Sequence, residues 1–436
     1  MATSSIRTVV LAFASIILAF HLSPFTLNAQ EKPILQLSLQ EAQQYAVEHN
    51  ASMQNADLDL KKAEMERWKT LSSMLPQVKA GFDYQNMCGY TMNMGAFSIP
   101  MNPSGTFSLT ASVAFTGAML VGTLLQDISI QMTDISRQQT EQQTRANVKN
   151  VYVSILVMEQ TVGLLDSSLA NMERLAATSQ ASVDVGAAEQ VDADKLQVQV
   201  ASMRNSINST RRSLQALRNT LLLQLGADVN ADLVLTTPVD DILNVDNAMQ
   251  LLGQNFDITR NYNYQLLEQN EKLAEKNVTM AWMNFSPTIS AYYQYSKKKY
   301  FGDEGMNMTP PNMIGASLSI PLFTSGSNTA AIKSAKIALQ ETQNSRRQAE
   351  DGLRVQYNQL CYDLASALES YDIQRRNLEV TQRVFTNLTE KYRYGRASSL
   401  EVTNASTDII SAQSNYIQAV MNVISAQIEL EKLLNN

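Results

Sequence analysis

Histidine and cysteine are nearly absent from this chain, whose 436 residues hold two of each. Cys88 and Cys361 are too few for a disulfide framework or a zinc site. His21 and His49 leave little for histidine catalysis or metal ligation. With no nucleophile motif and no phosphate loop, the sequence does not read as an enzyme and calls for no cofactor. Charge is sparse too, at 17% of residues, with a formal net charge of −7 and no long basic run. That balance argues against nucleic acid as a partner. Aromatic residues make up only 7%, whereas the apolar fraction of 44% is near the globular average and argues against disorder. Beyond the N-terminus no apolar run reaches about 18 residues, the length a membrane-crossing helix needs.

The N-terminus is different. Arg7 is the only charge before an apolar run from Val9 to Phe20, and a stretch of small residues ends near Ala29. The run is too short to span a bilayer, so residues 1–29 read as a secretory signal peptide. No cysteine follows it to carry a lipid. An exported chain without a spanning helix leaves soluble periplasmic, secreted and β-barrel readings.

Heptad periodicity is what the sequence has in abundance. Val148, Ile155, Val162, Leu169, Ala176 and Val183 recur every seventh position, and Val151, Met158, Leu165 and Met172 fill the offset of three. A shift of about 209 residues brings the first series onto Tyr357, Leu364, Tyr371, Leu378, Phe385 and Tyr392. The same shift takes Gly186 to Gly395, and Val200, Ile207, Leu214 and Leu221 to Ile409, Tyr416, Val423 and Leu430. The chain is therefore an internal duplication, with repeats at 30–228 and 246–436 and a linker at 229–245. Each half reads helix, hairpin, long helix, turn, helix. The first helix opens with a capping box at Ser38 and Glu41 and stops before Pro76; its counterpart starts near Asp246 and stops before Pro287. The hairpins span about 77–116 and 288–323, and the turns fall near 186 and 395. Long helices from about Leu120 to Val185 and Thr329 to Tyr394 would each span about 100 Å, far beyond a globular helix.

Strand alternation occurs only in the hairpins. Phe82 and Tyr84, Leu109 and Val113, Tyr293 and Tyr295, and Leu318 and Ile320 mark one apolar face of four strands. The plain reading packs these hairpins on a soluble helical core. No free apolar helix surface remains to cover them, so the face is expected to meet lipid. Four strands cannot close a barrel, and open edges are not tolerated in hydrocarbon. A dimer would supply about eight strands and a trimer about twelve. The helices favour the trimer, because continuing the ring needs about twelve staves. The fold class is thus mainly α with a small β part.

Three motifs now acquire meaning: Leu37-Ser38-Leu39-Gln40-Glu41-Ala42 ending in Glu48-His49-Asn50; Ser319-Ile320-Pro321-Leu322-Phe323; and Tyr392-Arg393-Tyr394-Gly395-Arg396-Ala397-Ser398-Ser399-Leu400-Glu401-Val402. Together with the duplication they resemble the TolC family of outer-membrane efflux proteins, from about Leu37 to Leu434. The resemblance implies a homotrimer whose twelve-stranded barrel sits in outer-membrane lipid and continues as an α-helical tunnel through the periplasm. It implies a passive exit duct for a tripartite efflux pump or type I secretion system. The partners would be a periplasmic adaptor and an inner-membrane transporter. It also places a gate at the helix turns, with Gly186, Asp192 and Asp194 in the first half. In the second half the gate positions are Tyr392, Gly395, Arg396, Glu401 and Asn404. Asn404 stands where the family can carry a second acid, and Arg396 lies beside the position of a locking basic residue, here Ala397.

Each gate residue also has a purely structural reading. Ser398 and Glu401 form a capping box, Asp192 and Asp194 sit near a helix start, Tyr392 occupies a seam position, and Gly395 serves the turn. A periplasmic coiled-coil adaptor or scaffold would share export and heptads, but it would have one hairpin rather than two matched sets. The loops between strands hold Met87, Met92, Met94 and Met101, then Met306 and Met308. Thioethers favour Cu(I), yet flexible apolar loop residues are the simpler account, and no metal site is expected.

Overall fold

The computed structural model describes residues 34–95, 97–242, 245–301 and 310–435. The signal peptide, together with Met306 and Met308, lies outside them. Strand β1 (Ile34–Leu37) leads into helices α1 (Leu39–His49) and α2 (Ala51–Ser72), and then strand β2 (Gln77–Gln85). A small hairpin, β3 (Thr91–Met94) and β4 (Phe97–Pro100), rises where the sequence reading has only loop. Strand β5 (Ser104–Thr116) returns to helix α3 (Gly117–Asp184), and a turn leads to α4 (Gln190–Leu225). Between the halves lie β6 (Asp232–Leu235), α5 (Val239–Ile242) and α6 (Val245–Leu252). The second half follows with α7 (Tyr262–Trp282), β7 (Thr288–Tyr300), β8 (Asn312–Ser319), α8 (Ser327–Arg393) and α9 (Ser399–Leu434).

At 68 and 67 residues, α3 and α8 each run about 100 Å. Among the described residues one helix, α3, is long and apolar enough by length and composition to cross a bilayer, and 44% of that stretch is buried. Its apolar residues Val148, Tyr152, Val153, Ile155 and Val157 are buried against neighbouring helices instead. Packing on α1, α4 and α9, not lipid, accounts for them.

The expected single first helix is broken in each half, and by the same device. Asn50 ends α1 and caps α2, its side-chain oxygen accepting from the Ser52 N–H while its amide donates to Gln224 O at 2.6 Å. Asn261 caps α7 through the N–H groups of Asn263 and Tyr264 and donates to Leu433 O at 3.2 Å. One side chain satisfies both a helix start and the last turn of another helix. The last turns match as well. Gly226 and Asn435 both close their helices in the left-handed conformation, at φ 71° and 53°. A Cβ on Gly226 would come within 2.3 Å of His49 O, so only glycine fits that close approach.

Around this level the main core forms. Val148, Tyr152 and Ile155 of α3 meet Leu221, Leu222 and Leu225 of α4, with Ala42 and Ala46 of α1 against them. The Tyr152 hydroxyl donates to Leu37 O at 3.0 Å and accepts from the Thr237 N–H at 3.1 Å. It thereby fastens the parallel pair β1–β6 to the long helix.

The other strands make one antiparallel sheet in the order β2-β5-β7-β8. Its central contact joins the two halves, with Leu109 opposite Tyr295, Val113 opposite Ala291 and Phe115 opposite Ile289. Rows such as Phe82–Phe107 and Phe115–Ile289–Leu318 put the apolar positions on one face. Phe82, Tyr84, Tyr293 and Leu318 are exposed there, at 69%, 60%, 45% and 61%. Strand β8 ends at Ser319, so Ile320 lies just past it, next to a proline that has no N–H for a ladder. Helices α2, α3, α7 and α8 all leave the sheet from one end, the end opposite Tyr84 and Tyr300.

Candidate functional site at the helix turns

Far from the sheet, α3 turns into α4 and α8 into α9. The two turns are built alike. Gly186 and Gly395 adopt φ 74° and 69°, a region open to glycine at little cost. Gly186 N–H bonds Val183 O and Ala187 N–H bonds Ser182 O; Gly395 N–H bonds Tyr392 O and Arg396 N–H bonds Lys391 O. Every bond has its counterpart at the repeat distance.

A shared core closes the end of the four helices. Met172, Leu175 and Ala176 of α3 and Leu196 of α4 pack on Phe385 of α8 and Val402, Ala405 and Ile409 of α9. Polar contacts then tie the first helix pair to the second. Tyr392 is half-buried, and its hydroxyl lies 2.9 Å from Ser179 Oγ on α3. Asp192 accepts from Ser399 Oγ at 2.5 Å, with Lys195 3.7 Å away on its own helix. Gln199 donates to Ser406 Oγ at 3.1 Å one heptad further on. Beside the Tyr392 contact a cleft of about 330 Å³ separates α3 from α8, lined in part by Arg174, Thr178, Glu390 and Arg393.

The structure therefore brings Asp192 and Tyr392 into contacts between the halves. The other positions expected at a gate behave otherwise. Asp194 accepts from Gln190 Nε2 at 2.8 Å within α4. Glu401 closes a capping box, its carboxylate 2.7 Å from Ser398 N and 2.8 Å from Ser398 Oγ. Hydrogen bonds from the Ser398 backbone and then its side chain hold the Glu401 carboxyl below the usual glutamate range, with Lys391 adding a smaller pull. The group is thus ionised at neutral pH, exposed at the very end of the helices. Asn404 is exposed on α9, and Arg396 is exposed beside Tyr394 and Lys391.

Reading single residues missed the partners Ser179, Ser399, Gln199 and Ser406. Their signal is the spacing of polar residues, Asp192-Gln199-Ser206 on α4 against Ser399-Ser406-Gln413 on α9. The third rung is incomplete. Gln413 is 2% exposed, and among the described residues neither its amide oxygen nor its nitrogen has a partner. An unpaired buried amide costs about 1–3 kcal/mol. Gln413→Leu is expected to stabilise the protein by about that much, read as a raised unfolding midpoint. Gln199→Leu, which orphans buried Ser406, should do the reverse. A lowered midpoint for Gln413→Leu would mean that the amide is satisfied in solution.

Among known proteins, the description "outer membrane efflux protein" matches residues 42–227 and 258–436. The outer membrane efflux protein BepC of Brucella suis is 22% identical over 298 residues, 66% of this chain and 62% of BepC. The probable efflux pump outer membrane protein TtgC of Pseudomonas putida is 24% identical over 317 residues, 69% of this chain and 63% of TtgC. The matched part thus spans less than two thirds of either relative. The open-state Neisseria gonorrhoeae MtrE outer membrane channel has the same fold, with a TM-score of 0.71 at 17% identity, covering 91% of this chain and 89% of MtrE. The chain belongs to the outer membrane efflux protein family, resides in the outer membrane, and extends its long helices into the periplasm.

Proposed function

We propose that three copies form a passive exit duct of a tripartite efflux pump or type I secretion system. The observation that carries this reading is a four-stranded sheet with one apolar face and two open edges, β2 and β8, mounted on helices about 100 Å long. Unpaired edge N–H and C=O groups are not tolerated in hydrocarbon, so β8 of one copy pairs with β2 of the next until the ring closes. Three copies supply about twelve strands, enough to enclose water rather than fill with side chains. Phe82, Tyr84, Leu109, Val113, Tyr293, Tyr295 and Leu318 face lipid, while Ser108, Thr110, Ser112, Ser290 and Ser317 line the lumen.

Below the membrane the helices continue the ring as a tunnel, and the turns at Gly186 and Gly395 form its periplasmic mouth. Asp192, Asp194 and Glu401 repeat around the three-fold axis there, and like charges so placed favour cations and resist close approach. Tyr392, Arg396 and Asn404 complete the gate. A periplasmic adaptor and an inner-membrane transporter part the helix pairs and supply the energy, and the duct performs no chemistry. The mass of the protein extracted from outer membranes in mild detergent tests the reading. A three-chain particle is expected; a monomer or dimer that needs no detergent would sink the channel and restore the periplasmic scaffold.

A further inference from the structure

We propose that Lys297 and Lys299 form a docking site for phosphorylated lipid headgroups of the outer leaflet, on the outside of the barrel. The inference rests on the channel reading, which puts this sheet face in the bilayer. Strand pairing fixes where these side chains stand. Lys297 lies opposite Phe107, which lies opposite Phe82; Lys299 lies opposite Gly105, which lies opposite Tyr84. Both lysines therefore share the apolar face, and both are exposed. Lys298, between them, belongs to the lumen face with Asp83 and Thr106, where it lies 4.8 Å from the Tyr300 ring centroid and is half-buried.

Depth along the strand agrees with a headgroup position. The outward positions of β7 run Ile289, Ala291, Tyr293, Tyr295, then Lys297 and Lys299. Ten residues from Ile289 to Lys299 cover about 33 Å of strand, and a tilt of about 40° reduces this to about 25 Å of height. That is the height of the apolar band of an outer-membrane barrel, about 25 Å. Lys299 thus stands at the outer rim and Lys297 about 5 Å below it, within reach of the rim for a long side chain, on the side away from the helices.

The surroundings suit a phosphate with acyl chains below it. The rings of Phe82 and Phe301 close over Gly105, and Phe301 lies 5.9 Å from Tyr84, ring centre to ring centre. These aromatics form a girdle against which the upper acyl chains pack, with the two ammonium groups at its edge. Among the described residues, neither lysine has an ion-pair partner, and the facing carboxylate, Asp83, belongs to the lumen side. In a chain of net charge −7, two cations without an ion-pair partner among the described residues, beside an aromatic girdle, suit an external anion, and outer-leaflet phosphate is the anion available at that height.

The test uses full-length protein in mild detergent, stripped of lipid, then exposed to diphosphoryl lipid A and weighed by native mass spectrometry. Wild type and Lys298→Gln are expected to retain the lipid. The double variant Lys297→Gln/Lys299→Gln should bind it about 25-fold more weakly, at roughly fivefold per lysine. Dephosphorylated lipid A should bind as weakly to wild type, and millimolar inorganic phosphate should not displace the intact lipid. Equal retention by the double variant, equal loss in Lys298→Gln, indifference to the lipid's phosphates, or displacement by free phosphate would overturn the proposal. The protein mass in the same spectrum reads the channel separately. A trimer without this pattern removes only the site, whereas the absence of a trimer removes the channel and the site together.

Discussion

Arginine at Ile314 is expected to abolish trimer assembly in the outer membrane, while arginine at Leu318 on the same face should be partly tolerated. Ile314 is 83% exposed and lies opposite Tyr293, midway along the apolar rows. Leu318 lies opposite Ile289, at the end of the sheet from which the helices leave. A basic residue facing lipid costs about 2–4 kcal/mol at the bilayer midplane and about 0–1 near its surfaces. Three-fold repetition multiplies the penalty at Ile314 to about 6–12 kcal/mol per particle, comparable with the whole stability of a domain. A third variant isolates the face from the strand. Ser317 neighbours Leu318 but lies opposite Ser290, with the two hydroxyls 2.7 Å apart on the other face of the sheet. Ser317→Arg should assemble and alter ion selectivity instead. The yield of trimer in outer-membrane fractions, with conductance for the variants that assemble, reads all three. Equal yields for Ile314→Arg and Leu318→Arg would mean that the face meets protein or water.

How much of this was legible in the sequence follows from how local each signal is. Heptads and strand alternation repeat within a few residues, so the duplication, the long helices and the apolar strand face could be read directly. The helix breaks could not, because Asn50 and Asn261 act through the carbonyls of Gln224 and Leu433, far along the chain. A side chain that caps one helix and ties down another gives no periodic trace. The pairing of β5 with β7 joins the two halves, strands far apart in the chain, so no local pattern specifies its register. Strand β6 has four residues, too few for alternation to register. At the turns, the glycines and acids stood out by type and position. Their partners Ser179, Ser399 and Ser406 did not, because serine is common on helices and gains meaning only when its opposite number is known.

Those partners set the second large expectation. Asp192–Ser399 and Tyr392–Ser179 both join the first helix pair to the second, so any opening that parts the pairs must break them. A bond to a charged group contributes about 1.5–3 kcal/mol and a neutral one about 0.5–1.5. If both are lost on opening, the double variant Asp192→Ala/Tyr392→Phe shifts the closed–open balance by about 2–4.5 kcal/mol, roughly 30- to 2,000-fold. The expected result is a clear rise in mean conductance in planar bilayers. Glu401→Gln serves as the contrast. Among the described residues its carboxylate bonds only within its own capping box, so it joins no pair to another. Removing that charge should weaken cation preference without raising conductance. The two readouts separate a latch from a charged ring, because the latch acts on how often the mouth is open and the ring on what passes through it. A double variant that loses thermal stability but keeps wild-type conductance would make Asp192 and Tyr392 static fasteners of the helix bundle. The gate would then lie in contacts between copies rather than within one chain.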